Sequence, residues 1–292
     1  MRYTHVFHTT LPSDEITRFI NEMPKTEIHV HLEGATSPEL LFKMASRNNI
    51  ALPVKTLHEW TKFYEFRDFN HFIEVYLLSV SCMKTSQDFS DMVVDFMARQ
   101  KKQNIIYSEV FFSAALHLGH IQADEILNGL YEGIQIGRKK FSIDIMFIPD
   151  ISREECYQNN SIKDVLEFAL KAKDMGIGIG LGIAGKEVGF PSAFFADVFS
   201  EARRQGLHVV AHAGETGDHR IVRDVIEVLK PERIGHGIGA LGDSSLVKLI
   251  SRNAIPVEVS PQSNYCTKVV GLENPHPIRQ MLDAGMFCNV NS

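Results

Sequence analysis

The stretch KTEIHVHLEG, residues 25–34, places two histidines two residues apart, His29 and His31, in a run patterned as a buried strand. Side chains alternate faces along a strand, so positions i and i+2 project to the same side. A single histidine on an apolar strand is most simply a core residue satisfied by a hydrogen bond. Two of them side by side would each lose hydration and would repel when protonated, whereas zinc accepts neutral imidazole nitrogen at about 2.0 to 2.1 Å. The pair opens a metal reading that other stretches must complete.

Those stretches exist. His212 lies in HVVAHAGE with Glu215 three residues later, His236 lies in IGHG, Gly185 lies in GIAGKE, and Ser260, Ser263 and Asn264 follow IPVEV. His29, His31 and His212 would make three neutral nitrogen ligands, leaving room for a water and one oxygen ligand. A divalent ion held there would lower the pKa of its water from about 15.7 toward roughly 7. His236 would orient that water or take its proton, and Glu215 would donate a proton to the substrate. Each residue also has a plainer role: Glu215 as a loop carboxylate or helix cap, His236 as a donor to a carbonyl, Gly185 as a turn. The other nine of the 13 histidines, His5, His8, His58, His71, His117, His120, His208, His219 and His276, fall in helices, loops or strand starts and are assigned packing or surface roles.

The elements that would position these residues alternate regularly. A short helix over residues 13–23 ends at Pro24, and strand one follows. Residues 35–103 keep helical spacing with no strand, longer than a bare crossover needs, and are expected to cap one mouth of the domain. Strands are then expected at 105–112, 142–149, 177–185, 207–215, 233–237, 255–261 and 286–292. Helices are expected between them over 122–140, 162–175, 192–205, 218–229, 244–251 and 277–284. Eight strands alternating with helices predict an α/β fold, a (β/α)8 TIM barrel, whose working residues sit at the carboxyl ends of the strands. The histidines and Glu215 fall at those ends.

Composition sets outer limits. At 292 residues, 44% hydrophobic and 23% charged, the chain is expected to form one soluble barrel domain over 1–292. A net charge of −6 offers no footprint for nucleic acid. No apolar run spans a bilayer, and the first residues lack a signal-peptide core, so the cytoplasm is the expected compartment. Cys82, Cys156, Cys266 and Cys288 have no C-x-x-C spacing and read as reduced.

Taken together, KTEIHVHLEG, GIAGKE, HVVAHAGET, RIGHG and VSPQSN, spread over residues 24–292, resemble the adenosine deaminase family of metal-dependent hydrolases. The resemblance implies one zinc ion per chain and removal of the 6-amino group of a purine as ammonia. It implies His29, His31 and His212 as zinc ligands, Glu215 as proton donor to purine N1, and His236 as the group that activates water. Substrate contacts would come from the Gly185 N–H, at ring N3, and from His31 and Glu33. Two departures stand out. The family continues after strand eight with paired aspartates, one a zinc ligand, and this sequence ends at Ser292 where they would begin, so a longer protein is expected. Glu33 stands where adenosine-specific members more often carry aspartate, which resembles relatives acting on free adenine. The expected substrate is adenosine or a close relative, with adenine or a modified adenine nucleoside as alternatives. Outside that chemistry stand another amidohydrolase acting on a non-purine amine or amide, and a catalytically silent ligand-binding protein. Oligomeric state is not specified.

Overall fold

The computed structural model describes residues 13–67 and 69–292, so His5 and His8 lie outside the described residues. Eight strands follow one another in chain order, all parallel: β1 (Lys25–His31), β2 (Ile105–Phe112), β3 (Asp144–Ser152), β4 (Gly180–Ala184), β5 (His208–Ala213), β6 (Arg233–His236), β7 (Val257–Val259) and β8 (Cys288–Val290). The sheet curls into a nearly closed barrel. Across the seam the Ile28 N–H donates to Asn291 Oδ1 at 3.0 Å. This is the expected α/β barrel. No helix among the described residues is long and apolar enough to cross a membrane.

Burial explains why the strands read as apolar runs. β4 and β7 are buried at every position, one face against the barrel interior and the other against the helices. Inside, Phe111, Ile148 and Val210 form a small plug, with Ile179 packed on it. Outside, a larger apolar layer joins strands to helices.

Residues 35–103 hold four helices, Pro38–Arg47, Leu57–Phe63, Phe69–Ser81 and Ser86–Lys102, and these do two different jobs. Phe69–Ser81, with Tyr64 just after the second helix, lies over the mouth where β1 ends and lines its cavity. Ser86–Lys102 is instead part of the barrel's outer layer, packed along Ala123–Phe141. Three glycines at helical spacing allow that approach. A Cβ at Gly129 would lie 2.3 Å from the Ser86 carbonyl oxygen, and one at Gly133 would lie 2.6 Å from Val93 Cβ.

Two local differences from expectation bear on the mouth. β3 runs to Ser152 rather than ending at Pro149, because Asp150, Ile151 and Ser152 pair with Gly182, Ile183 and Ala184 of β4. A helix of 7 residues, Arg153–Asn159, then follows at once. It is too short and polar to show an apolar period, and it brings Glu154 and Glu155 to the cavity wall.

Candidate active site

The carboxyl ends of β1, β5 and β6 bring four imidazoles together. Nitrogens of His29, His212 and His236 lie within 4.8 Å of one another. His31 reaches the same spot from β1, its Nε2 being 3.0 Å from His212 Nε2. Sequence alone assigns the ligand set as His29, His31 and His212; in the structure His236 is as close as His31. Their ring centroids lie 4.5 Å apart for His29 and His212, 5.0 Å for His29 and His236, and 5.1 Å for His31 and His212.

Each ring is held from several sides. His29 Nδ1 is 2.8 Å from Glu258 Oε2, a fully buried carboxylate on β7 that also accepts from Arg233 Nε. His31 stacks on Phe111, with centroids 5.1 Å apart and 22° between planes, and meets the edge of Tyr76. The backbone at His236 lies at φ 64°, in the left-handed region. A non-glycine residue there carries roughly 1 to 3 kcal/mol of strain, and such positions cluster at functional sites.

Burial keeps three of these rings neutral. The His31, His212 and His236 imidazoles are all held below their ordinary value, first by desolvation and then by neighbouring imidazoles. Neutral nitrogen is what a metal requires. The buried Nδ1 atoms of His212 and His236 have no hydrogen-bond partner. A group of close-set imidazoles, three held neutral and two with an unsatisfied nitrogen, therefore fits a divalent ion of the zinc class.

Glu215 sits beside them, its Oε1 being 3.7 Å from His236 Nε2. Burial, and then the charge of Glu187, push its carboxyl up to about 8, against a smaller opposing effect of Arg153. Glu187 is fixed by accepting from the Glu215 and Thr216 backbone N–H groups and from Thr216 Oγ1 at 2.7 Å. Arg153 is buried and donates to the carbonyls of His212, at 2.7 Å, and Gly185, at 3.2 Å. It thereby ties the ends of β4 and β5 to the start of the Arg153–Asn159 helix.

A cavity of about 440 Å³ opens over these groups, lined by His29, His31, Gly185, His212, Glu215 and His236 below and by Tyr64, Phe72, Ile73, Tyr76 and Leu77 above. Polar groups at the base and apolar walls above suit a flat heteroaromatic ligand. Glu33 is not among the lining residues. It is 1% exposed, and its Oε1 accepts from the Ser113 N–H at 2.9 Å and meets His117 Nε2 at 3.3 Å, while Oε2 has no partner. Of the sequence-derived site residues, His29, His31, His212, Glu215, His236 and Gly185 meet at one cavity; Glu33 lies behind its wall.

A family profile described as Adenosine deaminase matches residues 24–292. The chain belongs to the adenosine deaminase family. It is an aminohydrolase of that family, 35% identical over 278 residues to an adenine deaminase of Cupriavidus taiwanensis, an alignment covering 94% of this chain and 77% of the relative. Among solved structures it is similar to the adenine deaminase of Arthrobacter aurescens, with TM-score 0.83 and 30% identity over 92% of this chain and 81% of that one. The fold is also that of an amidohydrolase from Burkholderia ambifaria solved with zinc bound, with TM-score 0.86 and 21% identity over 98% of this chain and 79% of that one.

Several residues of this deaminase-family site escape motif reading: Glu258, Asp150, Arg153, Glu187, Phe111 and Tyr76. A signal existed for the first two, since a carboxylate inside an apolar strand, as in IPVEVSP or MFIPDIS, needs a partner. Gly235 is another. A Cβ there would sit 2.5 Å from His29 Cε1 and 3.1 Å from its Nδ1, and the rigid ring cannot swing away without leaving Glu258. Gly235→Ala is expected to cost about 1 to 3 kcal/mol of stability by overpacking and to weaken metal binding; urea unfolding and zinc titration on one preparation measure both. Unchanged values for both would show that the ring has slack.

Proposed function

We propose that this chain catalyses zinc-dependent hydrolytic deamination of the 6-amino group of a purine, with free adenine as the preferred substrate. The observation that carries the reading is the convergence of four imidazoles and a proton-holding carboxyl on one apolar-walled cavity at the strand ends. His29, His31 and His212 would hold one zinc ion per chain. When bound, the ion would supply Lewis-acid activation of a water molecule.

The chain's own residues do the rest. Gly185, through its backbone N–H, donates to ring N3 and sets the plane of the base. Glu215 keeps its proton at neutral pH and gives it to ring N1, which draws electron density from C6. His236 takes a proton from the water as its oxygen bonds to C6, and passes a proton to the departing nitrogen as the C6–N bond breaks. Ammonia leaves, the ring keeps the oxygen as a C6 carbonyl, and the remaining proton of the water returns to Glu215. The cap residues Phe72, Tyr76 and Leu77 exclude bulk water from the base.

The preference for adenine is supported by the two adenine deaminases similar to this chain, both at least 30% identical, and by Glu33. That carboxylate is buried, accepts from the Ser113 N–H and meets His117, and is not among the residues lining the cavity, so it is not offered to a sugar hydroxyl. Incubation of the zinc-loaded protein with adenine and adenosine separately, following ultraviolet absorbance and ammonia, tests the reading. Adenine is expected to show the higher kcat/KM by about tenfold or more, equivalent to roughly 1.4 kcal/mol in the transition state. Equal rates would overturn the substrate preference alone, and no ammonia from either would overturn the activity.

A further inference from the structure

Asp150, near the end of β3, is fully buried, and neither of its carboxyl oxygens has a partner at ordinary hydrogen-bond geometry, the Ser113 side chain coming near enough to favour the charged form. His31 faces it, with Asp150 Oδ2 3.6 Å from the ring's Nδ1. That gap is longer than a hydrogen bond. Leaving a buried acceptor unsatisfied costs about 1 to 3 kcal/mol, and more when it is charged. Space for the side chain is nevertheless built in: a Cβ at Gly182, opposite on β4, would lie 3.1 Å from Asp150 Cβ and 2.8 Å from Phe111, the ring on which His31 stacks.

The tautomer of His31 supplies the missing use. In the structure His31 Nε2 and His212 Nε2 are 3.0 Å apart, so the hydrogen between them belongs to one of the two. A nitrogen that holds a cation needs a free lone pair, so in a metal-loaded protein neither Nε2 carries it. Neutral His31 must then bear its proton on Nδ1, the nitrogen facing Asp150. The other β1 histidine already has this arrangement, with His29 Nδ1 2.8 Å from buried Glu258. By contrast the Nδ1 atoms of His212 and His236 have no partner at all. The two carboxylates thus accompany the two histidines of β1, one each.

We propose that Asp150 is a positioning residue for His31: its carboxylate accepts the Nδ1–H of the tautomer whose Nε2 is free to hold a cation. This rests on the metal reading of the site. Carboxylates behind histidine ligands fix ring orientation and raise ligand basicity, and their loss typically costs 10 to about 100-fold in metal affinity. Nothing in the deaminase motifs marks the position, because Asp150 lies outside all of them and is not among the residues lining the cavity.

Asp150→Asn keeps the shape and replaces a charged acceptor by an amide. Competition with a chelator should show zinc bound at one per chain in both proteins, with the dissociation constant about 10 to 100-fold higher in the variant. Nitrogen-15 spectra of histidine-labelled, zinc-loaded parent should show His31 protonated at Nδ1 in a strong hydrogen bond, and that signature should weaken in the variant. The metal-free variant should melt at the same temperature as the parent or higher, since a buried acid with no well-made hydrogen bond has gone. Undiminished zinc affinity would overturn the proposal, as would a fall in metal-free melting temperature large enough to account for the loss. A parent that binds no zinc would instead remove the functional reading on which the proposal stands.

Discussion

Glu215→Gln should lower kcat/KM by about 10² to 10⁴-fold, the usual contribution of a positioned acid or base, while the zinc content stays at one per chain. The amide keeps the size of the side chain and its place beside His236, but it has no proton to give to the ring. In the parent, burial and Glu187 raise the carboxyl from an ordinary value of 4.5 to about 8, so the acid is loaded at neutral pH. Turnover should therefore fall as pH rises through about 8, and the variant should lose that limb. The same shift acts on stability with a definite sign. A carboxyl whose folded pKa exceeds its unfolded one contributes stability present below the unfolded value and lost as pH rises through the folded one. Metal-free Glu215→Gln is thus expected to be more stable than the parent near pH 9, with the difference vanishing near pH 4. Thermal melts at both pH values, with a rate profile, check the prediction. A variant as active as the parent would remove Glu215 as the donor.

His212→Ala should have the largest effect on metal. His212 touches each of the other three imidazoles: its Nε2 is 3.0 Å from that of His31, and its centroid is 4.5 Å from that of His29 and 5.3 Å from that of His236. Removing it leaves His29 and His31, both from one strand, with His236 as the one further imidazole of the cluster. Bound zinc after gel filtration should drop from one per chain toward zero, and deamination should become undetectable. The metal-free protein should still unfold cooperatively, because the deleted ring sits above the Phe111, Ile148 and Val210 plug and is not part of it. Retention of stoichiometric zinc would assign the site to other ligands, with His236 the first to consider.

Local pattern carried a good deal of this site. The i, i+2 spacing of His29 and His31 placed both rings on one face before any coordinates, and the βα alternation from Ile105 onward indicated which end of the barrel they would occupy. Identity of the residues at strand ends was enough to name Glu215, His236 and Gly185, because a parallel barrel collects those ends at one mouth. Pattern failed where the reason for a residue lies on another strand. Glu258 makes sense only opposite His29, 229 positions earlier in the chain. Glu33 entered as a substrate contact through the family resemblance, yet Ser113 and His117 hold its carboxylate, which is not among the groups lining the cavity.

By itself, then, the sequence determined the alternation of strands and helices, the barrel that follows from it, and the set of residues able to bind an ion and move protons. These depend on short-range periodicity and on residue type, which a linear chain displays directly. Tertiary structure alone decided which imidazoles are close enough to share a cation, that burial and Glu187 keep the Glu215 proton in place, and that Asp150 and Glu258 stand behind β1. Those properties arise from desolvation and from distances between strands far apart in sequence, and neither quantity exists until the barrel closes.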